Sequence, residues 1–518
     1  MFIPFKRRYL QRLSYLFLMM LSVSEGVITA YAAQIEQKPN VLLILVDDLG
    51  YSDIKAYNDN SFYDTPHIDK LATESVLFTN GYAANPVCSP SRFALLTGKH
   101  PTRGQATDWF PVNDKPARAG YFNPADFNDA LPLSEITLAE AFKQNGYKTA
   151  FLGKWHLGRT ENLWPEHQGF DVNIAGTKNG HPAAGYFSPY KNSRLTDGPK
   201  GEYLTQRLTD EAISLVDEYS KQTAPFFMML SFYTVHTPLA APEKDVQKYH
   251  AKMHKLPHDK VFQEEEQVWP IADKREVRVK QNHPTYAAMV NQMDTQVGRL
   301  LAKLQQEGMD ENTLVVFTSD NGGLSSAEGA PTSNLPLRGG KGWLYEGGIR
   351  VPLLMKFPQM KHKGSQIHEP VTSTDLYPTL LSATKLDLLP EQHRDGIDLN
   401  QYFSPRAKRD ALMQRPLYFH YPHYSNQGGF PGAAVRQGNW KLIERFEDGR
   451  VHLYNLASDI GEQRDLANQE PERVASLRNN LHEWYQQTNA RFLNVKGDNT
   501  PWSPAVKIKP PSYESEPQ

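Results

Sequence analysis

The sequence has one cysteine, Cys88, in 518 residues. No internal disulfide can form, and both a disulfide scaffold and a cysteine zinc site are excluded. An excess of either charge is also missing: 56 Lys and Arg face 58 Asp and Glu, a formal net charge of -2. A protein that neutralises many phosphates carries a clear basic excess, so there is no footprint for nucleic acid. After the first 32 residues no segment is long and apolar enough to cross a bilayer, which takes about 20 such residues, and no internal repeat occurs. What is present is core material. Hydrophobic residues make up 39% and aromatics 11% of the chain, enough to bury a large core and to exclude disorder as the general state. The length suggests about two to four domains.

Lys6, Arg7, Arg8 and Arg12 precede an apolar run from Leu13 to Val23, and Ala30-Tyr31-Ala32 supplies a small-x-small step. This is the pattern of a secretory signal peptide over residues 1–32, too short in its apolar part for a membrane anchor. The mature chain is expected to start at Ala33, in a periplasm or outside the cell, with no stable membrane insertion. Without the leader, 52 basic side chains face 57 acidic ones, so any anionic substrate must be held by local charges. An exported protein of this size with a single cysteine has forgone disulfide staples. Cys88 is therefore a residue to explain.

Asn40 to Val46 is a continuous apolar run closed by Asp47-Asp48, the pattern of a strand buried on both faces of a parallel sheet. Phe226 to Phe232, leading into His236, looks alike, as does Leu314 to Thr318, leading into Asp320-Asn321-Gly322. Helical patterns lie between them. Thr65-Pro66 opens one through Ser75, Leu138 to Gln144 ends at Asn145-Gly146, and Tyr286, Met289, Val290, Met293, Val297 and Leu300 keep helical spacing. Strands alternating with helices predict an α/β fold with a mainly parallel sheet between helices, and ligands of such sheets sit outside the carboxyl ends of the strands. The charged stretch from Tyr249 to Asn282 reads as a surface excursion. Past Ala383, short strands at Leu417 to Tyr421, Ala433 to Glu444 and Val451 to Leu456, with a closing helix from Glu470 to Phe492, predict a smaller α+β unit. The expected organisation is a large domain over 33–395, this α+β unit over 396–500, and an extended or disordered tail over 501–518.

Cys88-Ser89-Pro90-Ser91-Arg92 runs into Phe93-Ala94-Leu95-Leu96-Thr97-Gly98. A helix is expected to start at Ser89 or Pro90 with the cysteine at its N-terminal mouth, where free N–H groups and the dipole favour an anion. A lone cysteine is most often an ordinary buried thiol. Arg92, one turn on, weighs against that reading because it sets a fixed cation and a fork of donors beside the sulfur.

Cys-x-Pro-Ser-Arg followed by an apolar helix and Thr-Gly resembles the signature of the formylglycine-dependent, type I sulfatases of the alkaline-phosphatase-like superfamily. Gly146-Tyr147 and Thr149, with Gly153-Lys154-Trp155-His156-Leu157-Gly158, resemble that family's second signature. Asn40 through Gly50, Asp320-Asn321-Gly322 and Arg338-Gly339-Gly340-Lys341-Gly342 resemble its remaining blocks, in family order. Leu453-Tyr454-Asn455-Leu456 with Asp459 and Glu462 is similar to its C-terminal sheet motif. The resemblance spans about residues 38 to 490 and makes the large domain the catalytic one.

The resemblance implies that a separate maturation enzyme oxidises Cys88 to Cα-formylglycine, whose hydrate is the nucleophile. Asp47, Asp48, Asp320 and Asn321 are oxygen donors that suit a hard divalent ion. Matched to the family, they bind Ca2+, with Mg2+ as the alternative, together with residue 88. The resemblance further gives Lys154 and Lys341 the sulfate oxygens, Arg92 the formylglycine hydroxyl, and His156 a contact with the diol. His236 matches the histidine that binds the bridging oxygen and protonates the leaving alcohol, and Asp320 is a candidate to take the nucleophile's proton.

For the substrate, His420-Tyr421-Pro422-His423-Tyr424 is rich in groups that stack on sugar rings and bond hydroxyls, which makes His420, His423 and Tyr424 candidate substrate-binding residues, with His181 a further one. The expected partner is a sulfated carbohydrate, a galactan such as carrageenan or a glycosaminoglycan, attacked from its end. The competing readings are a phosphate mono- or diester hydrolase of the same superfamily and a catalytically silent glycan-binding protein.

Overall fold

β1 (Asn40–Val46) is buried along its whole length. Val41, Leu43 and Leu45 pack on one side with Phe93, Leu96, Phe142 and Phe151. Leu42, Ile44 and Val46 pack on the other with Leu208, Val216, Met289 and Val297. Burial on both faces is why the strand is a continuous apolar run instead of an alternating one. The computed structural model describes residues 38–111, 122–266, 274–358, 363–403, 406–496 and 501–503. The expected signal peptide and most of the tail lie outside them.

Around β1 the chain adds β2 (Val76–Phe78), β3 (Lys148–Gly153), β4 (Val172–Ile174), β5 (Phe226–Ser231), β6 (Thr313–Ser319), β7 (Leu353–Lys356) and β8 (Gln366–Ile367). Their order in the sheet is β8-β2-β7-β6-β1-β5-β3-β4. β7 is antiparallel to both neighbours, and every other pairing is parallel. The result is the mixed, mainly parallel sheet that the sequence predicts. Helices α1 (Pro66–Thr73), α4 (Leu204–Tyr219) and α5 (Pro284–Gln306) cover one face, and α2 (Cys88–Thr97) and α3 (Leu138–Gln144) the other. The carboxyl ends of β1, β3, β5 and β6 lie side by side. Because β7 runs backwards, the loop that enters it, carrying Arg338 to Gly342, comes to the same edge.

Four antiparallel strands follow: β9 (Leu417–Tyr421), β10 (Gly432–Gln437), β11 (Trp440–Arg445) and β12 (Val451–Asn455). The stretch expected as one strand over Ala433 to Glu444 is two, turned at Gly438 with φ +59°, a conformation glycine adopts at little cost. Near the end of the chain α6 (Pro471–Thr488) packs Leu477, Leu481 and Trp484 on Val435, Leu442 and Leu453. A buried charge network ties the two sheets together. Lys441 Nζ pairs with Glu346 at 3.0 Å and Glu462 at 2.8 Å, and Tyr82 donates to Glu346 at 2.6 Å.

The described residues of the stretch from Tyr249 to Asn282 lie mostly at the surface, as expected, with Tyr249, Glu265 and Val277 buried. It includes part of a helix, Glu243–Met253, that buries Tyr249, and a hairpin of Phe262–Glu264 with Glu276–Arg278. Two of its three consecutive acids are anchored: Glu265 pairs with Arg338 at 2.5 Å, and Glu266 accepts from Tyr345 at 2.7 Å and pairs with Arg445, while Glu264 is exposed. Within the expected tail, Trp502 is buried against Phe446 and Phe492. No helix among the described residues is long and apolar enough to cross a membrane.

Candidate active site

Each strand that reaches this edge delivers a charged or polar residue. After β1, Asp47 continues the chain and Asp48 turns it at φ +60°, a conformation costly for a residue with a Cβ and held only where surroundings fix it. β3 ends at Gly153 (φ +106°), where an added Cβ would stand 1.8 Å from the carbonyl oxygen of Ser231. Only glycine lets β3 and β5 approach so closely, and the next residue, Lys154, is thereby delivered beside β1.

Lys154 Nζ donates to both oxygens of Asp47, at 2.8 and 2.7 Å, and Lys341 Nζ donates to Asp48 Oδ2 at 2.8 Å. Arg92, one turn into α2, donates from Nε to Asp320 Oδ2 at 2.8 Å, and from Nη1 to the Lys154 carbonyl and Ser231 Oγ, each at 2.7 Å. Asp320 Oδ1 accepts from the Asp48 backbone N–H at 3.2 Å, and Asn321 Nδ2 donates to Asp48 Oδ1 at 2.9 Å. Three carboxylates and three cations are thus interleaved in a buried cluster, each within reach of an opposite charge.

Cys88 is the first residue of α2, one or two positions earlier in the helix than expected, and is buried. Its Sγ and one oxygen each of Asp47 and Asp320 lie within 4.8 Å of one another. Burial pushes the thiol up, against the pull of Lys154 and Lys341.

Burial also raises Asp47 well above the usual carboxylate range, with Lys154 opposing and the neighbouring Asp320 and Asp48 adding to it. At Asp48 burial acts the same way, but Lys341 and His236 outweigh it and hold the carboxyl low. His156, at φ +59°, donates through Nε2 to the Phe110 carbonyl at 2.8 Å. His236 stands 3.7 Å from Asp48 Oδ2 through Nε2, with Nδ1 on the Thr237 carbonyl at 2.7 Å. Burial first, then Lys154 for His156 and Lys341 for His236, push both imidazoles well below the ordinary range.

The donor set fits a hard divalent ion. Asn321 Oδ1 is buried with no hydrogen-bond partner, an arrangement costly unless something else occupies the acceptor. Beside it lie the carboxylates of Asp47, Asp48 and Asp320, all oxygen donors of the kind Ca2+ and Mg2+ take.

The edge therefore brings together Asp47, Asp48, Cys88, Arg92, Lys154, His156, His236, Asp320, Asn321 and Lys341. Three expected substrate-binding residues lie elsewhere. His420 is fully buried among Phe446, Trp484, Tyr485 and Phe492, with Nδ1 on Thr102 Oγ1 at 3.2 Å. His423 is buried with Nε2 on Thr107 Oγ1 at 2.9 Å, and Tyr424 is buried with its hydroxyl accepting from the Phe122 N–H at 3.2 Å. His420 and Tyr424 pack beside the core of the smaller unit, and His423 packs on Thr107 and Phe127. His181 is exposed and follows Gly180, whose Cβ position lies 2.5 Å from the His156 ring, so it stands at the rim beside His156. Sequence reasoning missed Ser231, whose hydroxyl accepts from Arg92 and donates to the Lys154 carbonyl at 2.8 Å. It missed Tyr186 as well, which donates to the carbonyls of Tyr233 at 2.6 Å and His236 at 2.8 Å. Ser231 carried one signal, a polar residue closing an otherwise apolar strand.

Residues 39–386 match the family described as Sulfatase, and residues 340–491 match N-sulphoglucosamine sulphohydrolase, C-terminal. A sulfatase of Formosa agariphila is 30% identical over 88% of this chain and 90% of that protein. N-acetylgalactosamine-6-sulfatase of Mus musculus is 31% identical over 75% of this chain and 70% of its own length. Among solved structures, Ps i-CgsB in complex with k-i-k-neocarrahexaose superposes with a TM-score of 0.70 at 29% identity, covering 86% of this chain and 93% of that one. Fold, edge chemistry and sequence kinship agree: the chain belongs to the sulfatase family, as a type I sulfatase of the alkaline-phosphatase-like superfamily, and is a sulfuric ester hydrolase.

Proposed function

We propose that the protein is an exported sulfatase that removes sulfate from a sulfated carbohydrate, using a formylglycine hydrate made from Cys88 and a bound divalent cation, calcium in the first place. The observation that carries this is the position of Cys88: a buried thiol at a helix start, beside two carboxylates and among three cations. The carbohydrate reading draws on kinship with an N-acetylgalactosamine-6-sulfatase and on the neocarrahexaose held by a structural relative.

Asp47, Asp48, Asp320 and Asn321 would hold the cation together with an oxygen of residue 88. When bound, it supplies positive charge toward the sulfate and lowers the cost of deprotonating a nearby hydroxyl. The chain's own residues do the rest. With Lys154, Lys341 and Arg92 balancing the three carboxylates one for one, any added dication leaves the pocket net positive and able to take an anion. Lys154 and Lys341 then turn to the nonbridging sulfate oxygens, where charge is densest in the transition state. Arg92, fixed by Asp320 and Ser231, orients the attacking hydroxyl of the hydrate. That hydroxyl forms a bond to sulfur, its proton passing to a carboxylate, with Asp320 the candidate, as the bond from sulfur to the ester oxygen breaks. His236, the most exposed of the group, takes up a proton from the solvent side when the sulfate anion binds and gives it to the departing alcohol, while the proton left on the carboxylate returns to solvent. His156 assists loss of the proton from the second hydroxyl, the C–O bond to sulfate breaks, and the aldehyde reforms and takes up water. The balance is one water consumed, one alcohol and one sulfate released, and covalent catalysis in two steps.

The test is turnover of para-nitrophenyl sulfate against para-nitrophenyl phosphate by protein produced with a formylglycine-generating enzyme, with mass analysis of the Cys88 peptide. Sulfate turnover tracking the converted fraction is the expected result. Preference for the phosphate, or activity in protein carrying only alkylatable thiol, overturns the reading.

A further inference from the structure

Glu328 lies in the loop between Asp320 and Lys341, and its carboxylate is held in place despite being exposed. Oε1 accepts from Asn426 Nδ2 at 2.7 Å and Gln427 Nε2 at 2.8 Å, and Oε2 accepts from Thr237 Oγ1 at 3.4 Å. The two loops are braced beneath it. Ser326 Oγ donates to the Gln427 carbonyl at 2.5 Å, and Trp343 Nε1 reaches Ser326 Oγ at 2.9 Å and the same carbonyl at 3.1 Å. Glu328 itself sits at φ +51°, a conformation that a residue with a Cβ keeps only where its surroundings impose it.

Its location relative to the pocket gives this bracing a meaning. Thr237 directly follows His236, whose side chain is 13% exposed while the carboxylates, lysines and Arg92 of the cluster are almost fully enclosed. The open side of the pocket is therefore the His236 side, where a leaving alcohol must lie. The field of Glu328 also reaches Lys341. Its hydrogen-bond partners are two amides and a hydroxyl, so its charge is not cancelled by an ion pair among the described residues. A fixed carboxylate accepts strongly from neutral hydroxyls and repels a second anion placed close by.

We propose that Glu328 determines specificity on the leaving-group side: it accepts hydroxyl hydrogens from a neutral sugar ring and disfavours leaving groups that carry another anion beside the scissile ester. This rests on the sulfated-carbohydrate reading above and deepens it, since uronates and sugars sulfated again nearby become poor substrates.

The experiment compares kcat/KM for para-nitrophenyl sulfate and for the same compound bearing a ring carboxylate, in wild type, Glu328→Gln and Glu328→Asp. Taking the ratio of the two substrates within each protein cancels any general loss from misfolding or poor maturation. Glu328→Gln is expected to raise the carboxylate-to-neutral ratio by about tenfold at low salt, an effect that salt screens. Glu328→Asp, which keeps the charge, is expected to stay near the wild-type ratio. An unchanged ratio in Glu328→Gln, or an equal rise in both variants, overturns the inference. A wild type inactive on para-nitrophenyl sulfate after maturation instead overturns the underlying functional reading, so the two failures are distinct.

Discussion

Lys154 holds both oxygens of Asp47 through a single ammonium, at 2.8 and 2.7 Å, in a place where neither side chain meets solvent. A lysine so placed competes with any cation for the same carboxylate. Lys154→Ala is expected to tighten calcium binding by about tenfold, because it leaves Asp47, a buried carboxylate, with only the more distant Arg92 at 3.6 Å as counter-charge. It should also lower kcat/KM on sulfate esters by at least ~100-fold through the lost transition-state contact. Titration calorimetry on the unloaded protein reads the first effect independently of activity, and weaker calcium binding would show that the lysine supports the ion site.

Cys88→Ala removes little volume from a buried position and should fold as the parent does. Its turnover of any sulfate ester is expected to fall to background, with the thermal midpoint moved by no more than a few degrees. Residual turnover at wild-type rates would remove residue 88 from the nucleophile's place.

His236→Ala separates the leaving-group step from the rest. An alkyl alcohol needs a proton when it departs and a nitrophenolate does not, so the loss should be about 100- to 10,000-fold on a sulfated sugar and clearly smaller on para-nitrophenyl sulfate. Equal losses on both would place His236 elsewhere in the cycle.

Asp294 caps α1 from within α5, accepting the N–H groups of His67 and Ile68 at 3.0 and 2.8 Å. Burial raises its pKa to about 7, with Asp69 and Asp64 adding to the rise. The folded state therefore holds a proton that the unfolded chain releases near the ordinary carboxylate pKa. Stability from this group is full below that value and declines as pH rises through about 7. Asp294→Asn keeps the acceptor without the charge. Relative to wild type it should gain roughly 4 kcal/mol between about pH 4 and pH 8, visible as a growing difference in Tm, and a constant difference would refute the assignment.

Lys441 is fully buried between Glu346 and Glu462. Burial, against Lys441 and reinforced by Glu346, raises Glu462 to about 7. Lys441→Met leaves Glu462 without its cation and Glu346 with only Arg350 at 3.5 Å, and is expected to cost about 3–5 kcal/mol in denaturant unfolding. Replacing all three by apolar residues of similar size should recover much of that loss.

Much of the fold was legible because burial on two faces leaves an unmistakable run. Asn40–Val46 has the bounds its sequence suggests, and the neighbouring strand over Thr313–Ser319 differs by one residue at each end. The cluster was legible for a related reason: acids and amides placed directly after such strands have one edge to go to. What the sequence did not reveal came from context. The imidazole-rich stretch around His420 has the composition of a sugar platform and of an aromatic core alike, and only the packing of α6 over it decides. Glu265 and Glu266 sit in a run that reads as solvated, and it takes Arg338 and Arg445, more than seventy residues away in sequence, to pair them. Ser231 and Glu328 belong to no periodic pattern at all.

The reversed direction of β7 sets the dimensions of the pocket. A parallel neighbour would need a crossover, and the loop's two ends would then lie at opposite edges of the sheet. Here the chain leaves β6 and re-enters through β7 at one edge, with Thr318 paired to Leu353. Asp320 and Lys341 are therefore spaced as the two arms of a single wide hairpin, and its register acts as a gauge. Lengthening the stretch that carries Glu328 would reshape what the pocket admits while leaving that gauge unchanged.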